Sequence, residues 1–397
     1  MRKSDFAQAI KGTDFVLLIT CILTSIFGFM LVYSATRNEP ISESINVSRE
    51  CLIMIVAAVI GMILCVIISN IDYNLLVNMA IVAGGICLLL IFALFIWGEA
   101  PADRPNAKCW LPFSIGTFSI NFQPSELAKP GFLITFAWHI SKVRSSINEL
   151  KNIALLCLHA AVPIGLIILT DDLGSAMVFA FMFLGMMMIA GLKFRFFAIG
   201  FGAVIAAAPL LWTKFLSSFH RQRILAVYYP DALSEKTLKN VIYQQQRCLN
   251  AIGSGGFFGD GYLKGTYTQS SAGVPVNESD MVFSVVGEEF GFVGAVGLII
   301  LLAIIVARLC IIGSKSSNMP GSIICYGTAF MIGSQTVLNI GMCLKLLPCV
   351  GITLPFVSAG GSANMCVYIA IGLCMSVARM NKDTQQWYSS IYISNNL

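Results

Sequence analysis

The stretch Val274-Pro-Val-Asn-Glu-Ser-Asp-Met-Val-Phe-Ser-Val-Val-Gly-Glu-Glu-Phe-Gly-Phe-Val-Gly294 joins the longest polar segment of the chain to an apolar helix. At helical spacing, one face collects Asp280, Ser284, Gly287, Gly291 and Gly294, with Glu288 beside them. This pattern predicts a carboxylate at the head of a small-residue stripe, which leaves room for another helix or a ligand. A helix that begins near Met281 also makes Asp280 a candidate N-cap, so the stretch alone leaves a structural and a functional carboxylate open. Ser279 can supply the cap instead, which would free Asp280.

The composition indicates a membrane protein. Of 397 residues, 57% are hydrophobic and only 11% are charged, and the mean hydropathy is +0.81. Soluble domains carry about a quarter charged residues, so the chain is predicted to cross a membrane many times. The net charge of +5 does not indicate a nucleic-acid partner, because the basic residues lie in short loops. The thirteen cysteines are scattered through apolar runs, which favours buried thiols over a zinc site or a disulfide framework.

Apolar runs of about 17–25 residues predict about ten membrane spans in one membrane domain, residues 1–397. The runs cover residues 14–35, 51–70, 74–97, 125–141, 153–170, 173–191, 194–213, 283–308, 320–345 and 362–380. Lys and Arg gather in alternate short loops, which places the N- and C-termini in the cytoplasm. The predicted fold is therefore an all-α polytopic membrane protein with a large extracellular loop, about 214–282, between spans seven and eight.

Three longer loops face outward in this topology, namely 98–124, 214–282 and 346–361. The largest, 214–282, is too long to be a simple connection and is predicted to be functional. It contains a helix-compatible run, 233–250, and then a glycine cluster, 253–261, which favours a turn over a phosphate-binding loop. The loop 346–361 ends in glycine and serine, as expected of irregular backbone covered by protein at membrane depth.

Ionisable residues near membrane depth are costly to bury, so each is a candidate for function. Glu126 and Lys129 stand at i and i+3, and can form either a structural ion pair or part of a site. Asp172 lies in a short outer turn, where it can cap the next helix or hold a cation. Deeper in the membrane, His139 and His159 lie singly on apolar helices and are predicted to be hydrogen-bonded packing residues. Asn339 and Gln335 are predicted to make interhelical hydrogen bonds.

The outer side also carries a set of cationic candidates, namely Lys108, Lys129, Arg221, Arg223 and Lys264. A carboxylate base near several cations suits transfer to a sugar hydroxyl from a phosphate-bearing donor. The base takes the hydroxyl proton while the cations stabilise the leaving pyrophosphate. The residues alone leave transport of an anionic lipid open as a second interpretation.

At this point the chain resembles the SEDS family (shape, elongation, division and sporulation), and within it the RodA branch more than FtsW. The motifs that carry the resemblance occur in family order along nearly the whole chain. They are Gln123-Pro-Ser-Glu-Leu-Ala-Lys129, Asp172-Leu-Gly-Ser175, Tyr243-Gln-Gln-Gln246, Ala251-Ile-Gly-Ser-Gly-Gly256, Ser279-Asp-Met-Val-Phe-Ser-Val-Val-Gly-Glu-Glu-Phe-Gly-Phe292, Asn339-Ile-Gly-Met342, Leu346-Leu-Pro-Cys-Val-Gly-Ile-Thr-Leu-Pro-Phe356 and Gly360-Gly-Ser362.

The resemblance implies an inverting peptidoglycan glycosyltransferase that polymerises lipid II at the outer face of the bacterial cytoplasmic membrane. It also implies a partner, a class B penicillin-binding protein that cross-links the strands. The family's catalytic aspartate falls on Asp280, and the lysine of its Ser-Glu-Leu-Ala-Lys motif falls on Lys129. The predicted substrate-binding residues are Lys129, Glu126, Trp110, Lys108, Arg221, Arg223, Asp172 and Ser284. No metal site is predicted, although a divalent cation such as Mg²⁺ could bridge the pyrophosphate and Asp172 or Asp280.

This chain departs from the family pattern near the expected site. Where the family reads Leu-Pro-Glu-x-His-Thr-Asp-Phe, Val276 replaces the glutamate and Glu278 replaces the histidine, and Cys109 stands in place of an arginine. These departures keep open an inactive scaffold for a penicillin-binding protein. A lipid II flippase is the other alternative. It needs a polar path through the whole bilayer, whereas the ionisable residues here cluster at the outer boundary.

Overall fold

The computed structural model describes residues 12–38, 40–42, 45–100, 107–115, 118–270 and 273–394. The helices of this part are α1 (Phe15–Ala35), α2 (Arg49–Ser69), α3 (Tyr73–Asn78), α4 (Ala80–Trp97), α5 (Pro124–Val143), α6 (Leu150–Leu169), α7 (Leu173–Ile189), α8 (Phe194–Leu210), α9 (Ser218–Tyr228), α10 (Glu235–Ser254), α11 (Val282–Ser314), α12 (Met319–Cys343) and α13 (Gly361–Ser394). The predicted all-α polytopic architecture is confirmed.

Eight of the described helices are long and apolar enough to cross a membrane, namely α1, α2, α4, α6, α8 with its extension to Lys214, α11, α12 and α13. The apolar but shorter α7 and the charged α5 lie where two more spans were predicted. The count of ten spans stays a prediction. The predicted third span is not continuous, because the chain bends at Met79 between α3 and α4.

Two short hairpins were missed by the all-α prediction. Strand β1 (Pro40–Ser42) pairs antiparallel with β2 (Ile45–Ser48), and β3 (Leu111–Ile115) pairs antiparallel with β4 (Phe118–Phe122). Both lie in loops between predicted spans. In the second hairpin the signal was present, because apolar and polar residues alternate along both strands, as in a half-exposed strand.

The centre of the bundle is formed by α13 along α2, α12 along α11 and α4 along α5. In contrast, α8 stands at the periphery, and none of its described residues is buried. The predicted turn and helix of the large loop are confirmed, with α10 ending at Ser254 and positive φ angles at Gly256, Gly259 and Gly261. Loop 346–361 is irregular and largely buried, with Leu354 and Phe356 nearly inaccessible.

Helix α11 does not carry the small-residue stripe as a continuous face. At Gly291 the backbone adopts φ 65° and ψ −161°, which interrupts the helix. This left-handed φ favours glycine, and a Cβ there would lie 2.3 Å from the amide nitrogen of Gly259. The turn at 255–261 therefore packs directly into the break.

Candidate active site

The segment that carries Asp280 is fixed by hydrogen bonds to three successive backbone carbonyls. The amide of Ala359 donates to the carbonyl of Glu278 at 2.8 Å, and the Ser358 hydroxyl donates to that of Ser279 at 2.6 Å. The side-chain amide of Asn339 donates to the carbonyl of Asp280 at 2.9 Å. These bonds come from α12 and loop 346–361, so chain segments far apart in sequence hold the segment at the head of α11.

Asp280 is not the N-cap of α11. The cap position is Met281, and no side chain in the described part of the chain caps it. The interpretation of Asp280 as a structural cap is therefore wrong, and so is the idea that Ser279 caps in its place. The side chain of Asp280 is half-buried at the head of the helix.

Asn339 is the residue that joins the two loops of the site. It is fully buried on α12, and the same side-chain nitrogen lies 2.7 Å from the carbonyl of Ile352. The sequence predicted interhelical hydrogen bonds for this residue. The structure instead directs its amide to two loop carbonyls, which buried backbone needs when no regular element satisfies it.

Helix α10 of the large loop is hydrogen-bonded to the segments around the site. Its buried Gln245 donates to the carbonyls of Met342 and Leu347, both at 2.8 Å, at the C-terminal end of α12. The neighbouring Gln244 donates to the carbonyl of Pro275 at 3.3 Å. The polar face of a strongly amphipathic helix thus stabilises the loop that leads to Asp280.

The predicted pair of Glu126 and Lys129 is confirmed, with Oε1 and Nζ 2.6 Å apart. Both residues are buried, at 4% and 2% of their full exposure. Oε2 of Glu126 has no hydrogen-bond partner among the described residues. A buried carboxylate oxygen without a donor is costly, so this end of the pair can accept a further hydrogen bond.

Asp172 caps α7, as one of its two predicted roles required. Its Oδ1 accepts the amide of Ser175 at 3.0 Å, and its Oδ2 accepts Gln123 Nε2 at 2.9 Å and the Ser125 hydroxyl at 3.1 Å. Three donors occupy most of the acceptor capacity of this carboxylate. Asp172 is therefore a poor ligand for a divalent cation unless these bonds rearrange.

The residue range 358–364 links the Asp280 segment to the start of α5. The Ser358 hydroxyl contacts Ser279, and the Ser362 hydroxyl accepts the amide of Gln123 at 3.2 Å. Four residues extend over at most about 14 Å, so these two contacts lie close together at one end of the bundle. The base candidate and the motif that contains Lys129 therefore border one region.

Three further predicted substrate-binding residues, Arg223, Arg221 and Ser284, differ in how far the protein already engages them. Arg223 donates to the carbonyl of Cys349 at 2.7 Å and lies over the ring of Phe219 at 4.1 Å, so its guanidinium supports loop 346–361. Arg221 is half-buried, and its Nε lacks a partner in the described structure. The hydroxyl of Ser284 donates to the carbonyl of Met281 at 2.7 Å and is buried. Ser284 consequently has little surface to offer a substrate.

Lys108 and Trp110 lie beside the turn that holds Asp172. Lys108 is exposed, and the backbone of Trp110 pairs with that of Glu99. Between them, the thiol of Cys109 lies 3.5 Å from the carbonyl of Thr170. The cysteine that replaces the family's arginine thus packs against the turn between α6 and α7.

Sequence reasoning missed or misjudged several polar residues. Glu288 was only placed beside the stripe, yet it is fully buried and accepts bonds from Tyr267 N at 2.6 Å and from Thr268 N at 2.8 Å. His139 and His159 are not single, because their Nδ1 atoms lie 3.0 Å apart. Their predicted role as hydrogen-bonded packing residues is confirmed. A pairing between two helices leaves no signal in the local sequence.

Comparison with known proteins identifies the family. The model of the FtsW, RodA and SpoVE family, described as a cell cycle protein, matches residues 14–383. The chain belongs to this family. The predicted SEDS membership is confirmed.

This member of the FtsW/RodA/SpoVE family is similar to known proteins over most of its length. It is 31% identical over 301 residues to a probable peptidoglycan glycosyltransferase FtsW of Taylorella equigenitalis, covering 75% of this chain and 79% of the relative. It is 27% identical over 364 residues to the peptidoglycan glycosyltransferase MrdB of Escherichia coli, covering 92% and 93%.

Two solved structures share the fold of this family member. One is described as "Structural coordination of polymerization and crosslinking by a peptidoglycan synthase complex", with a TM-score of 0.76, 27% identity and coverage of 93% of this chain and 98% of the other. The other is the rod shape determining protein RodA of Thermus thermophilus, with a TM-score of 0.65, 27% identity and coverage of 92% and 97%.

Proposed function

We infer that the chain is a peptidoglycan glycosyltransferase that polymerises lipid II into glycan strands at the outer face of the bacterial cytoplasmic membrane. Relatives named as such enzymes cover more than nine-tenths of the chain. The observation that carries the proposal is the Asp280 segment, which hydrogen bonds from Asn339, Ser358 and Ala359 hold rigidly without using the carboxylate as a helix cap.

Asp280 acts as the general base in this reaction. It takes the proton from the 4-hydroxyl of the acceptor sugar, whose oxygen then attacks the anomeric carbon of the donor. The bond from that carbon to the pyrophosphate breaks, and the configuration inverts. A capping carboxylate would be tied to backbone amides, which stabilise its charge and weaken it as a base. In Asp280 the backbone is anchored instead, which keeps the carboxylate oriented.

Cationic side chains near the outer end of the bundle stabilise the leaving pyrophosphate. We assign this role to Lys129, with help from Arg221, whose Nε lacks a partner among the described residues. Lys129 is already paired with Glu126, so binding of the diphosphate would exchange one anionic partner for another. We also assign a substrate contact to the exposed Lys108. A role for Mg²⁺ would fall to Asp280 rather than to the occupied Asp172.

The proposed partner is a class B penicillin-binding protein. In the proposed orientation, both termini of this chain lie in the cytoplasm. A structural relative is a peptidoglycan synthase complex that coordinates polymerisation and crosslinking. An apolar groove of about 360 Å³ on α7, α11 and α12, lined by Phe181, Val306 and Val337 among others, supports a helix-to-helix contact. The alternating basic loops support the orientation.

Reconstitution with labelled lipid II tests the proposal. Purified protein, with and without its partner, should make glycan ladders on a gel, and Asp280→Asn should make none. Asp231→Asn changes an exposed carboxylate of the same loop and should remain active. Movement of lipid II across the membrane without any ladder would favour a flippase. Normal ladders from Asp280→Asn would remove Asp280 from the base role.

A further inference from the structure

Two polar contacts fix how α1 and α11 lie across the membrane. Asp14 Oδ2 pairs with Arg308 Nη2 at 2.5 Å, and the Ser34 hydroxyl donates to Glu289 Oε1 at 2.5 Å. Twenty residues separate Asp14 from Ser34, which corresponds to about 30 Å of helix. That length equals the thickness of a bilayer's hydrocarbon core, about 30 Å. The two contacts therefore mark its two edges.

The turn Gly255–Gly261 is hydrogen-bonded into the break of α11. The amides of Asp260 and Gly261 donate to the carbonyls of Glu288 and Glu289 at 2.9 and 3.1 Å. In return, the amides of Phe292 and Val293 donate to the carbonyls of Gly256 and Phe257 at 3.0 and 3.2 Å. Backbone groups that the break at Gly291 would leave unpaired are thus satisfied by the turn, as hydrocarbon surroundings require.

The turn extends from the edge marked by Ser34 and Glu289 toward the membrane interior. Phe292 and Val293 follow Glu289 toward the membrane interior. On α1, the hydroxyl of Tyr262 donates to the carbonyl of Met30 at 3.2 Å, four residues inward from Ser34, or about 6 Å. The residue that follows the turn thus contacts α1 inside the same edge.

The tip of the turn presents aromatic rings outward at this depth. Phe257 and Phe258 are 59% and 78% exposed, and their ring centroids lie 4.9 Å apart. The ring of Phe257 also stacks on that of Phe292, at 5.7 Å. The patch continues into Val293 and Ile300 on the exposed face of α11. In water such a patch would be unfavourable, whereas contact with acyl chains buries it.

We propose that the turn Gly255–Gly261 inserts into the adjacent lipid leaflet, where Phe257 and Phe258 contact acyl chains and anchor the large loop. The anchor stands at the end of α10, whose Gln244 donates to the carbonyl of Pro275 in the loop that leads to Asp280. It therefore fixes the height of that loop above the membrane. The anchor does not depend on the chemistry of Asp280, so it can be tested without an activity measurement.

Nitroxide labels measure the depth directly. Single cysteines are introduced by Phe258→Cys or Phe257→Cys with the exposed native thiol removed by Cys157→Ala. The protein is placed in nanodiscs of phosphatidylethanolamine and phosphatidylglycerol. Ile300→Cys, in the exposed middle of α11, is the lipid reference, and Lys239→Cys, exposed on α10, is the aqueous reference.

At positions 257 and 258, the label should collide with oxygen several-fold more often than with a water-soluble nickel chelate, as at position 300. The preference at position 239 should be the reverse. A label at 258 that behaves like the label at 239 would place the turn in water and overturn the proposal. Protection from both reagents would mean that protein covers the patch, which would overturn it equally. The second labelled position keeps the test decisive if one variant does not fold.

Discussion

Nδ2 of Asn339 lies 2.9 Å from the backbone carbonyl of Asp280 and 2.7 Å from that of Ile352, so one buried amide connects the base candidate to the loop across from it. Asn339→Ala should lower the rate of lipid II polymerisation by about tenfold or more, because the carboxylate loses its fixed position. It should also cost roughly 1–3 kcal/mol of stability, since two carbonyls lose a donor.

The matched control for Asn339 is Gln335→Ala. Gln335 is equally buried one turn earlier on α12, but its Oε1 has no partner in the described part of the chain. The Gln335→Ala variant should keep most of the polymerisation rate. Measuring rate and thermal unfolding for both variants separates positioning from packing. An Asn339→Ala enzyme with lower stability and an unchanged rate would show that the amide is only structural.

Ser279→Ala should leave the stability of the protein nearly unchanged, within about 0.5 kcal/mol. The sequence suggested a helix cap whose loss costs up to about 2 kcal/mol. In the structure Ser279 bonds through its backbone, with its carbonyl accepting the Ser358 hydroxyl and its amide donating to the carbonyl of Val276. Helix α11 starts without a cap from the described side chains. Thermal unfolding of Ser279→Ala beside Ser358→Ala provides the comparison. The second variant removes a real donor and should be the less stable of the two.

Lys129→Ala should destabilise the protein by about 3–5 kcal/mol, because it leaves the carboxylate of Glu126 buried and unpaired. The loss of polymerisation in this variant would then combine folding and function. The double variant Lys129→Met with Glu126→Gln removes both charges. It should recover most of the unfolding temperature that Lys129→Ala loses. It should still make little glycan if Lys129 contacts the pyrophosphate. Full activity in the stable double variant would assign the pair to structure alone.

Glu288→Gln should weaken the end of the large loop. Each oxygen of this carboxylate accepts two bonds, from Thr266 and Tyr267 or from Thr268. An amide turns one oxygen into a donor that faces other donors, at a cost of roughly 1–3 kcal/mol. Hydrogen exchange at the amides of residues 267 and 268 should rise, whereas the exposed control Glu235→Gln should leave them protected. Equal protection in both variants would show that the carboxylate is not needed there.

The orientation of the chain predicts which thiols an impermeant reagent can reach. In cells with a permeable outer layer and an intact cytoplasmic membrane, Lys239→Cys on α10 should be labelled from outside. Lys315→Cys, in the loop between α11 and α12, should react only after the membrane is opened. The reverse pattern would place the proposed glycan synthesis on the wrong side of the membrane.

Local patterns in the sequence were sufficient for features that neighbouring residues decide. Apolar runs located the membrane helices because a span needs about 20 apolar residues in succession. The spacing of Glu126 and Lys129 predicted their pair because i and i+3 meet on any helix. The helix-compatible run 233–250 of the large loop forms α10. The order of motifs along the chain identified the family.

Only the tertiary structure decided how the ends of these helices are satisfied. Gly291 fits a continuous helix as well as a break, and the break is stable because Gly256 and Asp260, some 30 residues earlier, supply its missing hydrogen bonds. Asp280 fits a cap as well as a base, and its segment is fixed from elsewhere in the chain by Asn339 and Ser358. A buried carbonyl must find a donor, but its sequence neighbours do not determine which distant segment provides one.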